Sequence, residues 1–274
     1  MICRYIIVYL KRIHPYRWLC AILFLILVLA WSLASGKIVT SNMLDSFLDI
    51  FIYHYTDPFL ICYYSLFVII ILCSDINSKL GYSQEQQIVI RVLPREQLTK
   101  CTVYACATNS VIITMLITCC MTILIIMQYG IIPFSTHKYL SLFAMDHVLS
   151  IVGMIFSQIL MFCRIFFIIL GIAILNILSK NAPGFLFAVA VTQIDWWFYH
   201  IFQIEQPWFI LPIEHTSILY TEALAPAGST SVRPNYWFSL LYWQCLILAE
   251  IWALRRTIQN KDCLLYTSPS PRDG

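Results

Sequence analysis

Apolar residues gather into six runs along this chain, at approximately 18–36, 58–73, 102–128, 155–178, 184–203 and 237–254. Each approaches the ~20 residues that a helix needs to cross ~30 Å of hydrocarbon at ~1.5 Å per residue. The pattern predicts an all-α, polytopic membrane protein of six transmembrane helices. Ahead of the first run, Ile2, Tyr5, Ile6, Tyr9 and Ile13 recur at helical spacing, with Arg4, Lys11 and Arg12 elsewhere on the surface. That spacing predicts an N-terminal helix lying in the membrane interface, with Pro15 separating it from the first span. A plain positive flank that orients the first span is the alternative. The stretch 140–178 is nearly continuously apolar. As one helix it would reach about 58 Å, too long for one span, and two spans would leave almost nothing for a turn. We expect an outer amphipathic piece around 140–150 leading into a single long fourth span, continuous or broken.

The basic residues sort by parity across these runs. One set of intervening segments holds Arg4, Lys11, Arg12 and Arg17, then Lys79, Arg91, Arg95 and Lys100, then Lys180, then Arg255, Arg256 and Lys261. The opposite set holds only Lys37, Lys138 and Arg233. Because Lys and Arg translocate poorly, the richer set is cytoplasmic, and both termini are expected inside. The same rule holds 140–178 to one crossing, since a second would place Arg255 and Arg256 outside.

Composition agrees: 60% of residues are hydrophobic and 11% charged, with a mean hydropathy of +0.79, against soluble averages of roughly 45–50% and 25%. A net charge of +3, spread over the flanks of spans, gives no reason to expect nucleic acid. The first run is too long for a signal peptide, lacks a convincing cleavage site and is followed by five more, so it is read as an anchor. All eleven cysteines fall in spans or cytoplasmic segments, where disulfides are not expected, and Cys119–Cys120 lacks metal-ligand spacing, so no metal site is expected. Residues 1–262 are expected to form one transmembrane domain. Residues 263–274, ending in a Ser/Pro-containing run unlike the rest, are read as a non-native read-through tail and left out of the fold, a few native residues then being missing.

The most informative polar stretch is 74–100, whose second half reads Gln87-Ile88-Val89-Ile90-Arg91-Val92-Leu93-Pro94-Arg95-Glu96-Gln97-Leu98-Thr99-Lys100. An apolar run, a Leu-Pro turn, an arginine and a new helix opened by Glu96 predict a compact helix-turn-helix on the inner face. Pro94 suits the first helical position, where its missing N–H has no partner. Ile88, Val89, Val92 and Leu93 are too apolar for a solvated loop; they call for the membrane interface or a partner's groove.

Here the chain resembles the membrane permease subunits of ATP-binding-cassette exporters, in the type-2 permease family. In that family a cytoplasmic loop of the form apolar-Leu-x-x-Pro-x-x-Arg, between the second and third spans, is the coupling helix that docks on the ATPase. Ile90, Leu93, Pro94 and Arg95 look like a compressed version of it, with tighter spacing and with Gln84-Glu85-Gln86-Gln87 in place of the Glu-Arg-Gly-Thr-like run that often precedes it. The resemblance covers residues 1–261. It extends to the interfacial helix, six spans with both ends inside, the long outer loop 204–236 and the final Arg255-Arg256. It implies a multi-pass protein of the plasma membrane, in a bacterium the cytoplasmic membrane, working as a homo- or heterodimer with a second permease subunit. It also implies that Ile88, Val89, Arg91, Val92, Leu93, Pro94 and Arg95 form the coupling surface. No G-x-x-x-x-G-K-[ST] loop is present, so the chain is expected to bind no cofactor and to be no enzyme, ATP being bound by a separate ATPase subunit.

Arg164 and Asp195 are the ionisable residues deepest in spans, about 21 and 17 Å from the inner end at ~1.5 Å per residue. Such groups turn inward and find partners, so we expect an intramembrane ion pair, with a place on a substrate path as the alternative. Asn109, Gln158, Asn176 and Gln244 are assigned to packing between helices, Glu250 to the level of the inner headgroups, and the tryptophans near span ends to the aromatic belt. Two other readings stay open. An intramembrane enzyme would draw on Asp146, His147, His200, Glu205, Glu214 and His215, which lack an H-E-x-x-H or G-x-S-x-G arrangement. A non-transporting accessory or immunity-type membrane protein would need none of them.

Overall fold

A computed structural model describes residues 15–34, 63, 65–73, 95–129, 147–178, 184–201, 215–216 and 236–265; within these, some positions, Asp195 among them, are described for the backbone alone. The described residues form six helices: α1 (Pro15–Ala34), α2 (Ser65–Cys73), α3 (Arg95–Tyr129), α4 (His147–Leu178), α5 (Phe185–Ile201) and α6 (Tyr236–Leu265). Among the described residues there is no strand. Three stretches are long and apolar enough to cross a membrane, Arg95–Met127, Ile155–Leu178 and Trp237–Asn260, and two shorter apolar ones are Tyr16–Leu27 and Phe185–Ile194. The three mark the chain as a membrane protein. The segment expected as an interfacial helix lies outside the described residues up to residue 14, and Pro15 opens α1.

Local chemistry sets where these helices start. α3 opens at Arg95 with Glu96 in its first turn, a carboxylate beside the positive end of the helix dipole. The α4–α5 corner is closed by the Asn176 side chain, whose Oδ1 accepts the Gly184 N–H at 2.7 Å. The Gly184 carbonyl in turn accepts the Phe187 N–H at 3.0 Å and starts α5. Gly184 admits no side chain: a Cβ would run into the Ile172 carbonyl and the Asn176 amide.

Contacts along the helices give their directions. Phe156 meets Trp237 and Phe167 meets Trp243, with centroids 6.0 and 5.8 Å apart, so α4 and α6 run the same way. Glu96 approaches Arg255 while Cys106, further along α3, lies within electrostatic reach of Glu250; α3 therefore opposes α6. The tight corner makes α5 antiparallel to α4. The third to sixth helices thus alternate in direction along the bundle, α6 lying parallel to α4. The fourth is a single unbroken helix, and its apolar part, Ile155–Leu178, coincides with the run at 155–178.

The core sits around the middle of α4, where Ile165, Ile168, Ile169, Ile172 and Ala173 are fully buried against α3, α5 and α6. α1 packs on α2 and α3, with Phe24 and Phe67 in ring contact. The buried side of α3 is lined by small polar residues: Thr99, Thr102, Asn109, Ser110 and Thr114. Several donate to the carbonyl one turn back, Ser110 to Cys106, Thr114 to Ser110 and Asn109 to Ala105, each at 2.8 Å. Bonded within their own helix, these three let neighbouring backbones come close, whereas Thr102 Oγ1 is buried with no partner among the described residues.

Candidate functional site

Three groups of residues carry the functional expectations. At one end of the bundle, Arg95 is the first residue of α3 and is exposed, as are Glu96, Gln97 and Lys100 on the same turn. Leu98 and Thr99 on the opposite side are buried, and Thr99 Oγ1 donates to the Arg95 carbonyl at 3.1 Å. Across the corner, Glu96 Oε1 stands 4.0 Å from Arg255 Nη2 at the far end of the bundle's last helix. Arg95 thus caps a helix that continues unbroken for 35 residues into the core. The helix that follows Leu-Pro-Arg is therefore the span itself. The remaining coupling residues, Ile88, Val89, Arg91, Val92, Leu93 and Pro94, lie outside the described residues.

Halfway through the bundle, Arg164 is fully buried in α4. Asp195 belongs to α5, and its side chain lies outside what the structure describes. The packed pair Gly171 and Phe187 fixes the α4–α5 register. Arg164 is seven residues outward from the first and Asp195 eight from the second, so their backbones sit within about 1.5 Å of the same depth. Nearby, Thr118 Oγ1 donates to Gln158 Oε1 at 2.7 Å, tying α3 to α4. Of the four amides assigned to packing, Gln158 and Asn176 do join elements, Asn109 bonds to its own helix, and Gln244 faces outward. Glu250 has its Oε2 atom buried, within electrostatic reach of Cys106 and with no hydrogen-bond partner among the described residues.

At the outer end, His215 is the surprise. Its Nδ1 and Ser239 Oγ share a 3.0 Å hydrogen bond, its ring stacks on Tyr242 at 4.0 Å, and its carbonyl accepts the Trp243 indole N–H at 2.9 Å. His215, Ser239 and Trp243 are all fully buried. A His–Ser pair invites a nucleophilic reading, but here both partners are sealed beneath aromatic rings. The arrangement fastens His215 onto α6. Neither Ser239 nor Trp243 stood out in the sequence; the only available signal was a tryptophan in the middle of an apolar run, away from the belt positions. Among the described residues, no three His, Cys, Asp or Glu side chains converge as a metal site. No family model matches the chain, and comparisons with curated proteins and with solved structures find no match either.

Proposed function

We propose that the chain is the six-span permease subunit of an ATP-binding-cassette exporter, with both termini cytoplasmic and a separate ATPase subunit docking on 88–95. The observation that carries this reading is the continuity of α3: the exposed Arg95 and the buried Leu98 and Thr99 share its first turn. A displacement imposed on the Leu93-Pro94-Arg95 corner would travel along a stiff helix into the α3–α4–α6 interface. No loop hinge lies between them to absorb it. ATP binding in the partner would close the inner side by this route, in alternating access. A second permease subunit completes the pathway.

Within that reading, Arg164 and Asp195 form a structural bridge between α4 and α5, supported by their matched depth and by the complete burial of Arg164. A carboxylate at bilayer depth is the natural counter-ion for a buried guanidinium. Exchanging the charges, Arg164→Asp with Asp195→Arg, is expected to restore the membrane expression that either single change abolishes. No rescue removes the pairing.

The decisive experiment for function is capture of the full-length chain from its native membrane. An ATPase bearing a G-x-x-x-x-G-K-[ST] loop should co-purify, and Leu93→Asp or Arg95→Glu should release it while the permease stays in the membrane. A folded chain that captures no ATPase supports the accessory-protein alternative.

A further inference from the structure

The side of α6 that packs into the bundle is apolar except at one place. Trp243, Leu254 and Ile258 are buried there, and Ile247 packs against the same core. Glu250 falls between them at helical spacing. Its Oε2 atom is buried and has no hydrogen-bond partner among the described residues. A carboxylate taken out of water without a partner is far costlier than a neutral polar group.

The groups around it offer no counter-charge. From α3 comes Cys106, fully buried and within electrostatic reach of Glu250; from α2 comes Cys73, fully buried and within reach of Cys106. Thr102, one turn before Cys106, is buried too, and its Oγ1 has no partner among the described residues. The ring contacts of Phe156 with Trp237 and Phe167 with Trp243 set Glu250 level with about residues 169–174 of α4, by the rise of a helix. At that level α4 offers buried Ile169, Ile172 and Ala173. Cys163 and Arg164 stand about 7–17 Å away along the axis. Lys100 is exposed, Arg255 faces Glu96, and Arg256 lies over the ring of Trp252 at 5.2 Å.

This lining narrows what can neutralise the carboxyl. A hard metal cation wants about six or more oxygen ligands, and here Glu250 and Thr102 are joined only by thiols. A soft ion wants several thiolate or imidazole ligands together, and no three His, Cys, Asp or Glu side chains converge among the described residues. A proton needs a single oxygen. We propose that Glu250 is a proton-binding site, its carboxyl neutral while α3 and α6 are in contact and ionised only when they part. Leu98 and Leu254, both buried, occupy the levels between Glu250 and the exposed Glu96–Arg255 pair. They form the wall between the site and water. Parting the two helices hydrates the carboxylate and releases its proton to water, and closing them takes a proton back. The inference needs only the helix bundle; neither an ATPase nor a cargo enters it.

A carbodiimide is the probe, because it reacts with the neutral acid. The acid's proton passes to one carbodiimide nitrogen as its oxygen adds to the central carbon, and transfer of the acyl group to nitrogen leaves a stable N-acylurea. The rest of the Glu250 side chain is only partly buried, which leaves a way in for a lipid-soluble reagent. The full-length chain in native membranes is treated with dicyclohexylcarbodiimide or with a water-soluble carbodiimide, and the adduct is located by peptide mass spectrometry. Dicyclohexylcarbodiimide should modify Glu250, and the water-soluble reagent should not. Glu250→Gln should abolish the adduct and leave the melting temperature unchanged, since one neutral group replaces another of the same shape. Leu254→Ala, which thins the wall without touching the carboxyl, should admit the water-soluble reagent. No adduct at Glu250, or a Glu250→Gln chain that melts lower, would mean a carboxylate paired with a cation and overturn the proposal. Equal modification by both reagents in the unsubstituted chain would mean a carboxyl open to water and overturn it too. A Leu254→Ala chain still closed to the water-soluble reagent overturns the wall. None of these readouts depends on capture of an ATPase, so this site and the permease reading fail separately.

Discussion

α4 and α6 are near equals in length, 32 and 30 residues, and run in the same direction side by side. Their surroundings differ sharply: 61% of the most apolar stretch of α4 is buried in the bundle, against 17% for α6. The buried helix is also the more hydropathic, 2.5 against 1.4. In water that order would be unremarkable. In a membrane it shows that hydropathy reports whether a helix inserts and says little about which neighbours it finds, because lipid is as apolar as a protein core. What separates the two helices is the placement of polar groups. α4 turns Ser157, Arg164 and Asn176 inward. α6 buries Ser239 and the Oε2 atom of Glu250 but leaves Gln244 facing out.

The largest test of this contrast pits two tryptophans of α6 against each other. Trp243 is fully buried, touches Phe167 of α4 and donates to the His215 carbonyl, whereas Trp252 is 61% exposed. Trp243→Ala should destabilise the detergent-solubilised protein by about 3–5 kcal/mol, the range for emptying an aromatic site in a packed core. Trp243→Phe keeps most of the volume but strands the carbonyl, and should cost about 1–3 kcal/mol. Trp252→Ala should shift the melting temperature little. Equal effects at 243 and 252 would show that α6 is covered on both sides and end the comparison.

A middle-sized effect is expected at the α4–α5 corner. Gly184→Ala forces a methyl against the Ile172 carbonyl and the Asn176 amide, a backbone contact that cannot swing aside. Overpacking of this kind costs about 1–3 kcal/mol. Ala249→Val, on the exposed side of α6, adds more volume and should be silent in the same thermal assay. A silent Gly184→Ala would mean that the corner yields to an added methyl, and that the α4–α5 register is held by the Gly171–Phe187 packing alone.

Much of this architecture is legible in the chain. The apolar run at 155–178 coincides with the crossing part of α4, and basic-residue parity held 140–178 to one helix because a second crossing would have carried Arg255 and Arg256 outside. What the sequence does not disclose is rotation about each helix axis. Where a helix is apolar nearly all round, its periodicity has no strong phase to read. Hence the burial of Glu250 Oε2, within electrostatic reach of Cys106, does not show in the sequence. Hence also the full burial of Trp243 against α4 was not readable from its place in an apolar run. The start of α3 was readable from Pro94 and Glu96, but its continuity from Arg95 through the span was not, since a charged first turn looks like a loop element. The end of α6 likewise runs to Leu265, three residues into the segment set aside as a tail.

The smallest predicted effect lies at the inner corner and sharpens the comparison by its size. Glu96 and Arg255 stand 4.0 Å apart, with 67% and 56% of their side chains exposed. An ion pair so open to water is worth about 0–1 kcal/mol, and salt weakens it further. Glu96→Gln should therefore leave the melting temperature nearly unchanged, and any loss at low ionic strength should vanish when salt is raised. Leu98, two residues on and buried, should behave oppositely: Leu98→Ala removes core contacts and should cost about 2–5 kcal/mol regardless of salt. The two substitutions share one helical turn, so their ratio measures how abruptly α3 passes from solvent to bundle. A large, salt-insensitive effect at Glu96 would place the first turn inside the fold and out of a docking partner's reach.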